Sequence, residues 1–228
     1  MNSPNTEMST GSPVLSTSNQ WVDHQHFRIE NDARMQLYCP GFQGLCWRLA
    51  CDWIPVVPPP PKDVVTHYLE VGTLHGANLI SVWKEYAYHP ESTFTTVDPY
   101  CDYSEYNEYQ SEQDLNFSTF SSNLNSSGFP QEQLYVYRNF SFHVLSTLPN
   151  DFYNLVYIDG NHKPEAVLED AVMVWRKMRG GGVLIFDDYG WGGDDCTKRG
   201  IDAFVAGYKD QIIFQQAYNG QYFVKKIN

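Results

Sequence analysis

Residues Asn154 to Trp191, NLVYIDGNHKPEAVLEDAVMVWRKMRGGGVLIFDDYGW, hold two short apolar runs with a helical stretch between them. Leu155-Val156-Tyr157-Ile158 ends at Asp159, and Gly182-Val183-Leu184-Ile185-Phe186 ends at Asp187 and Asp188. This is the pattern of strand, crossover helix, strand, in which the two strands lie parallel and adjacent. Their carboxyl ends then share one edge, where open α/β sheets bind ligands. Three carboxylates gathered there repel one another unless a positive group sits among them, and a divalent cation taking oxygen ligands is the simplest candidate.

The preceding chain supplies earlier strands of the same sheet. Val64 to Val71 reads as a strand that runs into Glu70-Val71-Gly72-Thr73-Leu74-His75-Gly76, and Ala77 to Tyr88 carries apolar residues at helical spacing. Gly72 permits a tight turn, and Gly76 lets the helix begin close to a ligand. The pattern E-x-G-x-x-x-G lacks the G-x-G-x-x-G spacing that wraps a pyrophosphate. Ser92 to Val97 is the next strand, ending at Asp98, where nucleotide-binding folds put an acid for ribose hydroxyls. Residues 103 to 127 follow as a polar helical stretch with Leu115, Phe117, Phe120 and Leu124 on its apolar face. Leu134 to Tyr137 is a third strand. Ser141, just beyond it, could meet an adenine edge or cap a short helix.

The helix of the opening stretch begins after Pro164 and is expected to bury Ala166, Val167, Ala171, Val174, Trp175 and Met178, with Gly180-Gly181-Gly182 stopping it. Lys198 to Tyr208 makes a last helix. The runs Ile212 to Ala217 and Gln221 to Lys225 flank Asn219-Gly220, a strong two-residue hairpin signal. The element order is an open, mostly parallel sheet of seven strands closed by an antiparallel hairpin.

A chain of 228 residues is long enough for one sizeable α/β domain. Residues 1–20, rich in Ser, Thr, Asn and Pro, form a disordered tail on this reading. Residues 21–62 form an N-terminal extension with a polyproline spacer at Pro55 to Lys62, either a lid over the substrate site or a cover for one face of the core. Residues 63–228 make the main domain. With 15 basic against 27 acidic residues, the surface is not built for phosphate backbones or anionic lipid, so neither nucleic acid nor a membrane is expected as a partner. A small-molecule substrate fits better, and a homo-oligomer is compatible with it. There is no apolar run of about 18 residues and no signal-peptide core, and the five cysteines form no paired framework, which suits the cytoplasm.

The motifs Tyr68-Leu69-Glu70-Val71-Gly72, Val156-Tyr157-Ile158-Asp159-Gly160-Asn161-His162 and Gly181-Gly182-Val183-Leu184-Ile185-Phe186-Asp187-Asp188-Tyr189, in this order of elements, resemble the class I S-adenosylmethionine-dependent methyltransferases. Within that fold the sequence is similar to the macrocin O-methyltransferase-like and cephalosporin hydroxylase-like group, over roughly Val64 to Asn228. The resemblance implies a Rossmann-like fold and S-adenosylmethionine as cofactor, with Glu70, Gly72 and Gly76 shaping the pocket for its methionine part. It further implies Asp98 on the ribose, Ser141 on the adenine, and Asp159 at the border of cofactor and metal. Asp159, Asp187 and Asp188 would hold Mg²⁺, and His162 would take the proton from the attacking hydroxyl. The sequence departs from the commonest pattern at Asn161 and at Asn139-Phe140, where an acid and a Gly-Asp pair are frequent.

Methyl transfer from a sulfonium is an in-line displacement that needs an oriented, deprotonated nucleophile. The expected activity is therefore O-methylation of a hydroxylated small molecule with divalent-metal assistance. A metal-independent methyltransferase and a catalytically silent cofactor-binding module use the same fold and remain as alternatives. A nicotinamide-dependent oxidoreductase would need the glycine spacing that is absent.

Overall fold

The structure is a computed structural model in which residues 30–101, 113–192, 194 and 196–228 are described. The tail at 1–20, with Trp21 and Phe27, and the acidic, tyrosine-rich start at 103–112 lie outside the described residues. Seven strands form one sheet: β1 (His67–Val71), β2 (Thr93–Val97), β3 (Leu134–Tyr137), β4 (Tyr153–Ile158), β5 (Met178–Phe186), β6 (Ile212–Tyr218) and β7 (Gln221–Lys226). Their spatial order is β3-β2-β1-β4-β5-β7-β6. All pairs from β3 to β5 are parallel, and β7 runs antiparallel to both β5 and β6. The chain reverses its direction of travel across the sheet between β1 and β4, a topological switch point that opens a crevice for a ligand.

Alternation along the central strands builds two cores. Tyr68, Leu155, Tyr157, Ile185 and Phe223 face one side. Leu69, Val71, Val156, Ile158, Leu184, Phe186 and Val224 face the other. The first side is covered by α1 (residues 30–38), α2 (Ala77–Tyr86) and α3 (Gln113–Ser127), together with the segment around Leu49 and Trp53. The second is covered by α4 (Ser141–Val144), α5 (Pro164–Lys177) and α6 (Cys196–Tyr208). The result is a three-layer αβα sandwich. No helix among the described residues is long and apolar enough to cross a membrane.

Three local expectations differ from the structure. The three glycines do not stop α5, which ends at Lys177; Met178 already has extended backbone, and the glycines run inside β5. Lys226 explains the earlier stop, because its ammonium donates to the carbonyls of Trp175 and Met178 at 2.8 and 2.7 Å. The glycines take up an irregularity in the β4–β5 register and let the C-terminal backbone pass close to Gly180. In α3 the inward face contains Asn116 and Asn123, whereas Leu115 is exposed. Finally, the proline run is not extended throughout: residues 54–57 turn, with the Val56 and Val57 N–H groups donating to the Trp53 carbonyl.

Candidate functional site at the strand ends

Register fixes the site before any side chain is considered. Val71 pairs with Val97 on one side and with Ile158 on the other, and Ile158 pairs with Phe186. The next residue of each strand therefore falls in one row, Asp98, Gly72, Asp159 and Asp187. Gly72 has φ +82°, and a Cβ there would overlap the Asp159 carbonyl oxygen. Only glycine lets the two strand ends come this close.

The glycine turn is held from both sides. Asp98 Oδ2 accepts from the Thr73 and Leu74 N–H groups at 2.9 Å each, and its Oδ1 accepts from the Tyr100 N–H at 3.1 Å. The Tyr100 hydroxyl donates back to the Leu74 carbonyl. Both Leu74 and Tyr100 have positive φ, strain that persists only where surrounding contacts impose it. A carboxylate has about four acceptor positions, so Asp98 braces the turn and retains room for one further donor. His75 Nδ1 accepts from the Leu45 N–H and its Nε2–H donates to Asn116 Oδ1, which fixes a neutral tautomer that burial also favours. Asn123 bonds to the Gln43 backbone and to the His75 carbonyl. The histidine inside the turn is thus a structural pin joining the N-terminal segment to α3.

Glu70 lies beneath this turn and is almost fully buried. Asn78 donates to Oε1 at 3.1 Å, and Oε2 has no hydrogen-bond partner. Burial pushes this carboxyl well above its ordinary range, with the Asn78 bond opposing the shift. A carboxyl whose ionisation is opposed by burial in this way would be held ionised by a cationic group such as the methionine ammonium.

On the other side of Gly72, one oxygen or nitrogen from each of Asp159, His162 and Asp188 lies within 4.8 Å of the other two. His162 Nε2 is 3.2 Å from Asp188 Oδ2 and 3.9 Å from Asp159 Oδ1. Ligands at about 2.1 Å from an octahedral ion stand about 3.0 Å apart when cis and about 4.2 Å when trans, so these spacings fit one divalent cation. Burial, and next the charge of Asp187, push the Asp159 carboxyl up, while His162 pulls it back. That is the electrostatic condition a cation would relieve. Asp188 reaches the cluster through a left-handed backbone at φ +53°. Its loop is secured by the Trp191 N–H and the Thr197 hydroxyl on the Asp188 carbonyl, and by the Tyr189 N–H on the Gly220 carbonyl. The Trp191 ring lies 4.7 Å from that of His162.

Asp187 stands apart from the cluster. Arg48 Nε, from the N-terminal segment, lies 3.4 Å from Asp187 Oδ1, with both side chains almost wholly buried. Burial and the charge of Asp188 raise the Asp187 carboxyl; Arg48, the Tyr157 hydroxyl and the Asp188 backbone N–H counter them. Sequence reasoning did not single out Arg48. Its signal was there: it is the one basic residue between Arg34 and Lys62, in a stretch rich in aromatics and cysteine.

Ser141 begins α4 and hydrogen-bonds Asp170 of α5. Asp170 is buried beneath Gly160, in the turn that follows Asp159. Burial raises its carboxyl to about 7, against an ordinary value near 4. Between those values the folded chain holds a proton that the unfolded chain has lost, so stability falls as pH rises through this window, by at most about 4 kcal/mol. Asp170→Asn is expected to be about 2–4 kcal/mol more stable than wild type at pH 8 and no more stable near pH 4. Denaturant melts across that range would show it, and a gain independent of pH would contradict the assignment.

A family model described as a methyltransferase domain matches residues 69–189, which run from β1 to the loop after β5 and contain both the glycine turn and the acid cluster. The chain belongs to this family. Its sheet is the class I methyltransferase sheet, mostly parallel with an antiparallel C-terminal hairpin. A curated relative, Uncharacterized protein R132 of Acanthamoeba polyphaga mimivirus, is 29% identical over 128 residues, 56% of this chain and 53% of that protein. The chain thus spans about half the length of the curated relative it matches. Among solved structures, the O-methyltransferase NovP is similar with a TM-score of 0.57 at 16% identity, over 78% of this chain and 76% of that one. An O-methyltransferase from Bacillus cereus, solved in complex with SAH, has a TM-score of 0.55 at 12% identity and 93% of each chain covered. At these identities the likeness is one of fold.

Proposed function

We propose that this chain transfers a methyl group from S-adenosylmethionine to a hydroxyl oxygen of a small molecule, with a divalent cation at the acceptor. One juxtaposition carries the proposal. Gly72 separates a buried carboxyl with one unpartnered oxygen, Glu70, from the Asp159, His162 and Asp188 cluster, so a cationic cofactor on one side would meet an oxygen acceptor on the other. Glu70, Gly72, Gly76 and Asp98 are the proposed cofactor residues. Ser141, whose hydroxyl hydrogen-bonds Asp170, is the proposed adenine contact.

When bound, the cofactor supplies an electrophilic methyl on sulfur and the cation lowers the pKa of an acceptor hydroxyl. The chain's own residues do the rest. Asp159 and Asp188 fix the acceptor edge, His162 presents its Nε2 beside both carboxylates, and Trp191 lies against its ring. The net negative charge of the chain disfavours polyanionic acceptors and suits neutral or cationic ones.

Calorimetric titration with S-adenosylmethionine and S-adenosylhomocysteine tests the proposal first. Micromolar binding of both is expected; if neither binds, methyl transfer is excluded. His162→Ala should keep cofactor affinity and lose about 10²- to 10⁴-fold in turnover, measured as S-adenosylhomocysteine release with a hydroxylated acceptor. Unchanged turnover would remove His162 from the reaction.

A further inference from the structure

We infer that Arg48 decides which ion the cluster takes: it holds Asp187 away from the cation position and leaves Asp159, His162 and Asp188 as a nitrogen-containing ligand set that selects Mn²⁺ over Mg²⁺. The inference rests on the acceptor-side cation of the proposed function and names its chemistry.

Sequence alone offers three equivalent carboxylates at the ends of β4 and β5. The structure separates them. The Asp187 carboxylate is engaged by the Arg48 guanidinium at 3.4 Å, by the Tyr157 hydroxyl and by the Asp188 backbone N–H. It is absent from the group of donors that converge within 4.8 Å among the described residues. Arg48 is itself wedged in place, since a methyl at Gly220 would sit only 2.8 Å from its Nη2. Tyr157 is fixed in turn by Gln221 Nε2, which donates to its hydroxyl at 3.1 Å. The pairing is therefore built into the meeting of the N-terminal segment, β4 and the hairpin.

With Asp187 so engaged, the third ligand is His162. An imidazole nitrogen suits first-row transition ions, whereas Mg²⁺ prefers oxygen throughout and keeps several waters. One nitrogen and two carboxylates leave room for two vicinal oxygens of an acceptor on a six-coordinate ion. Arg48 touches neither the ion nor the acceptor on this account. It is a positioning residue that acts through Asp187.

The test uses the full chain, stripped by chelator and titrated with MnCl₂ and MgCl₂ by calorimetry and by loss of the free Mn²⁺ electron paramagnetic resonance signal. Mn²⁺ is expected to bind about 100-fold more tightly than Mg²⁺. His162→Ala should lower Mn²⁺ affinity by about 10- to 100-fold or more and remove imidazole-nitrogen coupling from the pulsed spectrum. Arg48→Gln, by releasing Asp187, should narrow the Mn²⁺/Mg²⁺ ratio about tenfold. Because Arg48→Gln leaves a buried charge without its partner and can fail to fold, Arg48→Met/Asp187→Leu removes both charges together. The double variant should keep Mn²⁺ affinity within about threefold. Loss of Mn²⁺ binding in the double variant, or intact nitrogen coupling in His162→Ala, would overturn the inference. A chain that binds S-adenosylhomocysteine but neither ion would overturn it while leaving methyl transfer in place. A chain that binds Mn²⁺ as described but no cofactor would support the ligand set and exclude the methyl-transfer reading.

Discussion

Gly72→Ala is expected to abolish binding of S-adenosylhomocysteine, with at least a 100-fold loss of affinity, about 2.7 kcal/mol. Two costs combine. A Cβ in this left-handed conformation is strained by about 1–3 kcal/mol wherever it occurs. Here it would also overlap the Asp159 carbonyl oxygen, which is backbone and cannot rotate away. Relief requires β1 and β4 to part at the switch point, moving the glycine turn and the acid cluster together. Gly76→Ala provides the comparison. Its φ is also +82°, but its Cβ would meet the Phe120 ring at 3.0 Å, a side chain that can give by a few tenths of an ångström. Gly76→Ala should therefore lose less. Calorimetry with S-adenosylhomocysteine and a thermal melt of each variant would decide, and a Gly72→Ala protein that binds within tenfold of wild type would refute the close-approach argument.

Trp53→Ala should cost about 3–5 kcal/mol of stability, a fall in melting temperature of roughly ten degrees for a chain of this size. Trp53 is fully buried, stacks on Tyr157 with ring centroids 5.3 Å apart, and meets the Tyr86 ring at a tilt with centroids 5.6 Å apart. Truncation empties a large volume in the core beneath the sheet. It also frees Tyr157, whose hydroxyl supports Asp187, so the loss of stability should come with a weaker Arg48–Asp187 pair. A loss below about 1 kcal/mol would mean that the segment around Trp53 rests on the domain without being part of its core.

The fold was legible in the sequence to a large extent, and the reason is physical. Parallel strands buried on both faces leave contiguous apolar runs, and the first polar residue after such a run marks the sheet edge, as Asp159 and Asp187 do. Asn219-Gly220 gave the hairpin, because both of its residues take the positive φ the turn requires. What stayed hidden depended on distant partners. Asn116 and Asn123 look like solvent-facing residues of α3 until His75 and Gln43 are brought against them. Lys226 ends a helix from the far end of the chain.

The candidate site was legible in its residue types and less so in its assignments. Asp187 and Asp188 are adjacent and chemically identical, and no local pattern tells them apart. The distinction comes from the left-handed backbone at Asp188, which turns its side chain toward His162, and from Arg48, which belongs to a segment with no strand or motif of its own. His162 stands beside the acids, and its 3.2 Å approach to Asp188 puts Nε2 among the ligand atoms, where its one lone pair would hold an ion and could not also take the acceptor's proton.

The β6–β7 turn has a practical bearing. Hairpin tips are ordinarily safe places to graft an epitope or a fluorophore, since they project into water and touch little. This one is pressed into service: the Gly220 carbonyl receives the Tyr189 N–H, and its missing side chain makes room for Arg48. An insertion at Asn219-Gly220 would disturb the candidate site from behind, shifting the Asp188 loop and the guanidinium paired with Asp187.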